Sequence, residues 1–364
     1  MKVHEHTVHF ETITPLRFGD AWLENKAPSK ASAIMGSLRF WFEVICYLSG
    51  ITKPDDYSSR SKEGNIILKA NLEQKEFQDK LKTLMKETES NLSMEELIGK
   101  LLQEMKIPLP ARVFGCTGWR GLIQIKEIKL KEQTRRFNLS SKIGISKSDP
   151  YAPILKNDYC PPRSNLKYSV HYFPDGFYGS FDVIFLTDKN TAQHILFPLL
   201  KFIERYGFVG GAWNSGYGRV KVNFEHGRDE YNRFSNYAEF VDNPVNIDNL
   251  IEKVQTKNDL LLSKKTNRKL RLFTLNNLQK FSGESIESIL EEKLIKEKVY
   301  LRRYEKNKDK RHQIFGTTSS PVQGSKILPW IYEVNNKGTK WEYGFISIVD
   351  ILNIGKSEVG ENES

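Results

Sequence analysis

One helix near the start of the chain restricts the fold more than any other feature. Its apolar residues Ile34, Leu38, Trp41, Ile45 and Leu48 recur at spacings of 4, 3, 4 and 3, the period of a single buried helical face. Pro28 and Ser29 stand where a helix begins, with Ser29 placed to cap it, and Gly50 stands where one ends. Before it, His4 to Thr14 alternates and is rich in β-formers, and Pro15 stops it, which reads as a strand. A strand feeding a one-sided helix needs a sheet to pack on.

The rest of the first half supplies that sheet. Strands are expected at Arg112–Phe114 and Leu122–Ile128, and two more between Tyr168 and Leu186, joined at Pro174-Asp175-Gly176. A second helix starts at Asn190 or Thr191, buries Ile195, Leu196, Leu199, Leu200 and Ile203, is kinked by Pro198 and stops at Gly207. A glycine-rich loop and the strand Arg219–Phe224 follow. The charged helical periodicity near 70–106 reads as an insertion, and Lys131 to Leu166 as a long basic loop. With these set aside, the order is an elaborated β-α-β-β-α-β, an α+β fold of ferredoxin-like type with an antiparallel sheet and helices on one face.

The chain's 364 residues suit two such domains. The polar stretch from about Asn232 to Val254 is a linker. Beyond it, a charged helix from Ile286 to Tyr304 leads to Ile314-Phe315-Gly316-Thr317-Thr318, which echoes Val113-Phe114-Gly115-Cys116-Thr117. Strands follow both, here Lys326–Val334 and Tyr343–Leu352. The division is 1–230 for the first domain, 231–355 for the second, and 356–364 for a disordered tail.

Charge narrows the partners. The net charge is +10, and between Lys253 and Arg311 there are 17 Lys/Arg against 8 Asp/Glu, a surplus of +9. Such a stretch fits a phosphate backbone, and it fits a solvated helical face as well. The three cysteines form no CxxC pair, which argues against both a disulfide framework and a zinc site and for a reducing, cytoplasmic setting. No apolar run is long enough to cross a bilayer, and the N-terminus carries no signal core.

Three places could contact RNA. Ser29, Lys30 and Ser32 lie at a helix start, where free N–H groups and the dipole favour anions, or where an ordinary cap sits beside a surface lysine. The loop Gly207–Gly218 presents Gly210, Gly211, Trp213, Asn214, Gly216 and Tyr217. Its glycines permit a close backbone approach, and its two aromatics suit stacking on unpaired bases, or tuck into the core. A helix precedes this loop and a strand follows, the reverse of dinucleotide and P-loop sites, so no nucleotide cofactor is expected. The third place is the basic loop that begins with Arg135 and Arg136. Arg302 and Arg303 add the basic stretch of the second half. Catalytic groups are harder to find. His4 and His6 share a strand face without a third ligand, so no metal is expected, and nothing selects His171 or His312 as a general base.

Four segments carry a resemblance: Ile13-Thr14-Pro15-Leu16 with Gly19; Gly36-Ser37-Leu38-Arg39-Phe40-Trp41; Val113-Phe114-Gly115-Cys116-Thr117-Gly118-Trp119 with Gly121; and Gly216-Tyr217-Gly218. In this order the chain resembles the RAMP superfamily of CRISPR proteins, and within it the Cmr subunit one family of type III-B effector complexes. The resemblance implies two ferredoxin-like RAMP domains and no catalytic role. It also implies contact with guide or target RNA near the guide's 3′ end, beside other RAMP subunits. It places phosphate contacts on Ser29, Lys30 and Ser32, with Arg39 in the same helix, and the glycine-rich loop on Gly210 to Gly218. The chain departs from the family at Met35, where a basic residue is usual, and at Trp213, Asn214 and Ser215, where arginines are usual. Two other readings stay open: a metal-independent RAMP endoribonuclease that processes CRISPR precursor RNA, and a scaffold that binds only proteins.

Overall fold

A computed structural model describes residues 3–18, 31–48, 50–59, 66–87, 93–133, 142–145, 168–172 and 176–224 of the first half. In the second half it describes residues 255–256, 259–261, 269–273, 281–282, 285–296, 298, 302, 307–316, 324–333 and 340–348. The expected linker and tail lie outside these residues.

The first half is built on four antiparallel strands: β1 (His4–Thr12), β4 (Gln124–Gln133), β7 (Gly179–Thr187) and β8 (Val220–Phe224). Their order across the sheet is β4-β7-β1-β8, the arrangement of a ferredoxin-like unit. The register sets Phe10 beside Phe181, and the two rings stack at 5.1 Å. Val8, Phe10, Phe181, Val183 and Phe185 are buried against the helix layer. The first helix, α1 (Ala31–Leu48), buries Ile34, Leu38, Trp41 and Ile45 as its spacing requires, and Gly50 closes it at φ 78°.

Several elements differ from the sequence reading. Arg112–Phe114 is the end of a short helix, Leu109–Phe114, and not a strand. Pro108 and Pro110 fix φ in the first turn, where a missing donor costs nothing, and Gly115 ends it. The segment read as one long basic loop contributes its start to β4, and Lys142–Ile145 pairs with Tyr168–Tyr172 in a separate two-stranded sheet. The second helix begins earlier, at Lys189, because Asp188 caps it by accepting from the Thr191 amide at 3.0 Å. Pro198 is accommodated by a π turn, Ala192–Leu196, where the Phe197 amide donates back to Ala192; the helix then continues over Phe197–Arg205. The insertion is helical as expected, Gln74–Glu87 and Met94–Glu104, the latter opened by a capping box of Ser93 and Glu96.

The second half repeats part of this plan. The strands β10 (Asp259–Leu261), β11 (Lys269–Phe273), β13 (Ile327–Glu333) and β14 (Lys340–Ser347) pair antiparallel in the order β13-β14-β11-β10. The first three positions match β4-β7-β1. The place of β8 is taken by β10, which precedes β11 in the chain instead of following a second helix. The echo between the halves also has a shared geometry. Gly115 and Gly316 each close a short helix with positive φ, their amides donating to Ala111 and His312. The carbonyls of Val113 and Ile314 then each receive an amide from the approach to the next strand, Leu122 and Lys326.

Neither half completes its core alone. Leu328, Trp330 and Ile346 of the second half belong to the large core of the first, while Ile13 and Tyr217 of the first half pack with Ile289, Leu290, Leu294 and Phe345. Arg219 lies fully buried at this seam. Its guanidinium donates to the carbonyls of Ile203, Glu204, Arg205 and Gly207 at the end of the second helix, and to Ile331 of β13 at 3.0 Å. Truncating it removes one donor from each of five carbonyls, of which Ile203 keeps the Gly207 amide and Arg205 the Trp330 indole. Arg219→Met is expected to lower unfolding stability in urea by about 3–5 kcal/mol, and Arg219→Lys to recover little of it, because a point charge cannot span the fork's partners.

Candidate nucleic-acid interface

The four segments of the resemblance meet around the glycine-rich loop, although up to about 200 residues separate them. The Thr14 hydroxyl donates to the Gly216 carbonyl at 2.8 Å and accepts from the Arg219 amide at 3.0 Å. The Gly218 amide donates to Pro15, and the Gly211 amide to Arg17. From α1, the Ser37 hydroxyl accepts from the Gly210 amide at 2.9 Å, and the Trp41 indole donates to the Phe208 carbonyl at 2.9 Å. Arg39 donates to Glu43 at 2.7 Å and to the Gly115 carbonyl at 2.9 Å, tying the helix to the Val113–Gly121 segment.

The glycines serve this knot. A Cβ on Gly210, at φ 79°, would come within 2.6 Å of the Arg17 carbonyl oxygen. On Gly216, at φ 78°, it would meet Leu290 at 2.5 Å. The close approach read from the sequence as room for a ligand is taken up at these two positions by the protein itself. Ala212 opens the loop's single 3-10 turn in the left-handed region at φ 59°.

The aromatic pair divides. Tyr217 is buried in the core shared with the second half, so its ring is not available to stack on a base. The core alternative holds for Tyr217. Trp213 is half-buried, packed on Phe40 at 5.1 Å, Trp41 at 5.8 Å and Phe208 at 6.0 Å, while its indole N–H is buried without an acceptor among the described residues. Asn214 is exposed at the loop's tip. Ser32 is exposed in the first turn of α1. Ser29, Lys30, Arg135, Arg136, Arg303 and Gly19 lie outside the described residues. Arg302 is exposed.

Sequence reasoning missed two cations that the fold brings to this loop. Arg17 pairs its backbone with Gly211, and its half-buried side chain has no ion pair or hydrogen bond among the described residues. Its position directly after Thr14-Pro15-Leu16 was the available signal. Lys298 is buried and donates to the Asn214 carbonyl at 2.8 Å. Burial, with Arg302 nearby, pushes its ammonium down to about 7. No local pattern marks it, since only the packing of the two halves buries it. Arg112 is a further cation whose Nε is buried without a partner among the described residues.

The histidines divide between the two faces of β1. His6 faces the helix layer against Phe197, and burial lowers its pKa. His9 lies on the opposite face, its Nδ1 2.9 Å from Asp182, which Lys131 also contacts at 2.9 Å. Among the described residues there is no group of three or more His, Cys, Asp or Glu side chains that could hold a metal ion. Nor is any described helix long and apolar enough to cross a membrane.

An interlocked pair of antiparallel α+β units, with a glycine loop joining a helix to the last strand of the first, defines a ferredoxin-like class of protein. Residues 9–221 match the family model of the RAMP superfamily, and the chain belongs to that superfamily. No curated protein matches it in sequence. Among solved structures it is similar to Cmr1 from Pyrococcus furiosus in its apo form, at 15% identity over 95% of this chain and 88% of that one, with a TM-score of 0.40. It is also similar to a chain of a type IV-B CRISPR complex, at 12% identity over 62% and 92% with a TM-score of 0.31. A third is Cmr6 from Pyrococcus furiosus, at 17% identity over 60% and 98% with a TM-score of 0.26.

Lys298 gives this region a pH signature. With its pKa near 7 in the folded chain and an ordinary value of 10.5, the unfolded chain binds more protons between these limits. Its contribution to stability therefore rises with pH above 7, and the burial penalty is largest below 7. The urea midpoint of the wild type, minus that of Lys298→Met, is expected to increase from about pH 7 to 8.5. A flat difference would show that the ammonium is not desolvated.

Proposed function

We propose that the chain is a non-catalytic RNA-binding subunit of a CRISPR RNA-guided effector complex of the type III-B (Cmr) kind. It contacts guide or target RNA near the guide's 3′ end, beside other RAMP subunits, in cytoplasmic antiviral defence. The observation that carries this reading is the convergence of the four RAMP segments on one loop flanked by Arg17, Lys298 and Arg302, for none of which an acidic partner is found among the described residues. A surface of that kind suits phosphates. The net charge of +10 supports it.

A titration of labelled single-stranded RNA at several salt concentrations tests the reading. Affinity is expected to fall steeply with salt, each neutralised phosphate contributing ~0.7 to the log-log slope. Arg17→Gln is expected to weaken binding about 3–10-fold across unrelated sequences and to reduce that slope by ~0.7. Binding without salt dependence would favour the protein-only scaffold.

A second reading, the metal-independent nuclease, draws on His9, whose imidazole is oriented by Asp182 as a general base would be. Incubation with CRISPR repeat RNA in EDTA separates the two. Intact RNA is expected; site-specific cuts that vanish in His9→Ala would establish the nuclease.

A further inference from the structure

The seam between the glycine-rich loop and the second half holds a charge that no described residue balances. Lys298 is buried, and its only hydrogen-bond partner among the described residues is the neutral carbonyl of Asn214, at 2.8 Å. A buried ammonium is ordinarily paired with a carboxylate. Here the charged groups in range are of the same sign. Arg302, four residues later in the sequence, is near enough for its like charge to oppose the ammonium. Arg311, on the helix Lys308–Phe315, acts on Arg302 in turn. Among the described residues no carboxylate exerts an influence on Lys298 or Arg302. Next to Asn214, the indole N–H of Trp213 is a second buried donor without an acceptor.

Two features therefore coincide at one seam: a buried cation without a counter-ion among the described residues, and an exposed guanidinium whose like charge opposes it. A ligand that supplies oxygen acceptors and negative charge would answer both. We infer that this seam, formed by Lys298 and Arg302 against the Trp213–Asn214 tip of the loop, is a seat for a phosphodiester of single-stranded RNA. It would carry the strand from the first ferredoxin-like unit onto the second. The inference rests on the RNA-binding reading above and adds to it a place in the second half that no motif of the family model reaches, since the match ends at residue 221. A phosphate next to Lys298 would restore its charge, so binding should take up a proton wherever the free protein holds the amine partly neutral.

The test uses the full chain and a labelled single-stranded RNA. Affinity is measured against salt for the wild type, Arg302→Gln and Lys298→Met. Calorimetry at about pH 8, in two buffers of different ionisation enthalpy, counts protons. Each variant is expected to weaken binding about 3–10-fold and to lower the salt slope by ~0.7. The wild type is expected to take up a fraction of a proton on binding, and Lys298→Met none. Arg302 is exposed, so its variant remains informative even if Lys298→Met perturbs the seam. Steep salt-dependent binding by the wild type, with both variants unchanged and no proton uptake, would overturn the seat and leave the RNA reading intact. No salt-dependent binding by the wild type would overturn that reading itself. Proton uptake on adding oligo-glutamate but not RNA would give the seam to an acidic protein surface and sink the proposal.

Discussion

The buried guanidinium of Arg219 is the interaction on which the rest of the structure hangs. A helix ends with carbonyls that have no intrahelical donor, and the helix ending at Arg205 ends inside the protein, where water cannot supply one. Arg219 reaches three carbonyls of the helix's last turn, Ile203, Glu204 and Arg205, and that of Gly207 just beyond it, and places its Nε on Ile331 of the second half. Its own carbonyl receives the amides of Ile13 and Thr14. One residue thus fixes the helix end, the loop's return, the exit of β1 and the docking of β13. Burial and the nearby Arg205 push it down to about 9, which leaves it charged at neutral pH. The Glu204 carboxylate nearby, the carbonyl end of the helix dipole and the rings of Phe208, at 5.2 Å, and Trp330, at 5.9 Å, offset that burial.

This arrangement changes what the glycine-rich loop is for. Gly210 and Gly216 sit where a side chain would collide with Arg17 or Leu290, so they are required by the meeting of protein segments. The loop is a joint. It holds α1, the exit of β1 and the second half in fixed relation, and the cations at its margins acquire their positions from it. Arg17 comes to the loop because its backbone pairs with Gly211, and Lys298 because its ammonium donates to the Asn214 carbonyl.

The main elements were legible because they are periodic. The stripe Ile34–Leu38–Trp41–Ile45 and the alternation of β1 declare their buried faces, and the ferredoxin-like order follows from them. What was not legible depended on contacts distant in the chain. Arg112–Phe114 is too short to show a period, and the prolines before it decide for helix. Tyr217 could have faced a base or a core, and only the docking of Ile289 and Leu290 decides. Lys298 looks like any lysine in a charged helix until Asn214, 84 residues away in the chain, is packed against it. The four strands of the first half's sheet could be placed approximately from local pattern, whereas the seam is a property of the assembled pair.

On the RNA-binding reading proposed above, the sheet bears on how RNA would be held. In RNA-recognition folds of related topology, bases stack on aromatic side chains of the central strands. The central strands here are β1 and β7, and their outward positions are Thr7, His9 and Glu11 on one and Ser180, Asp182 and Ile184 on the other. His9 is the one ring among them, and it is held by Asp182; Glu11 and Asp182 would repel a phosphate backbone. The aromatics near the loop are turned inward, Tyr217 completely and Trp213 against three other rings. These outward positions therefore offer no Phe, Tyr or Trp platform for base stacking. What the chain does have among its described residues is cations without counter-ions at the helix-layer loop and along the seam. Contacts of that kind register the backbone and ignore the bases. The RNA-binding subunit proposed above would need that indifference, since a guide can carry any sequence.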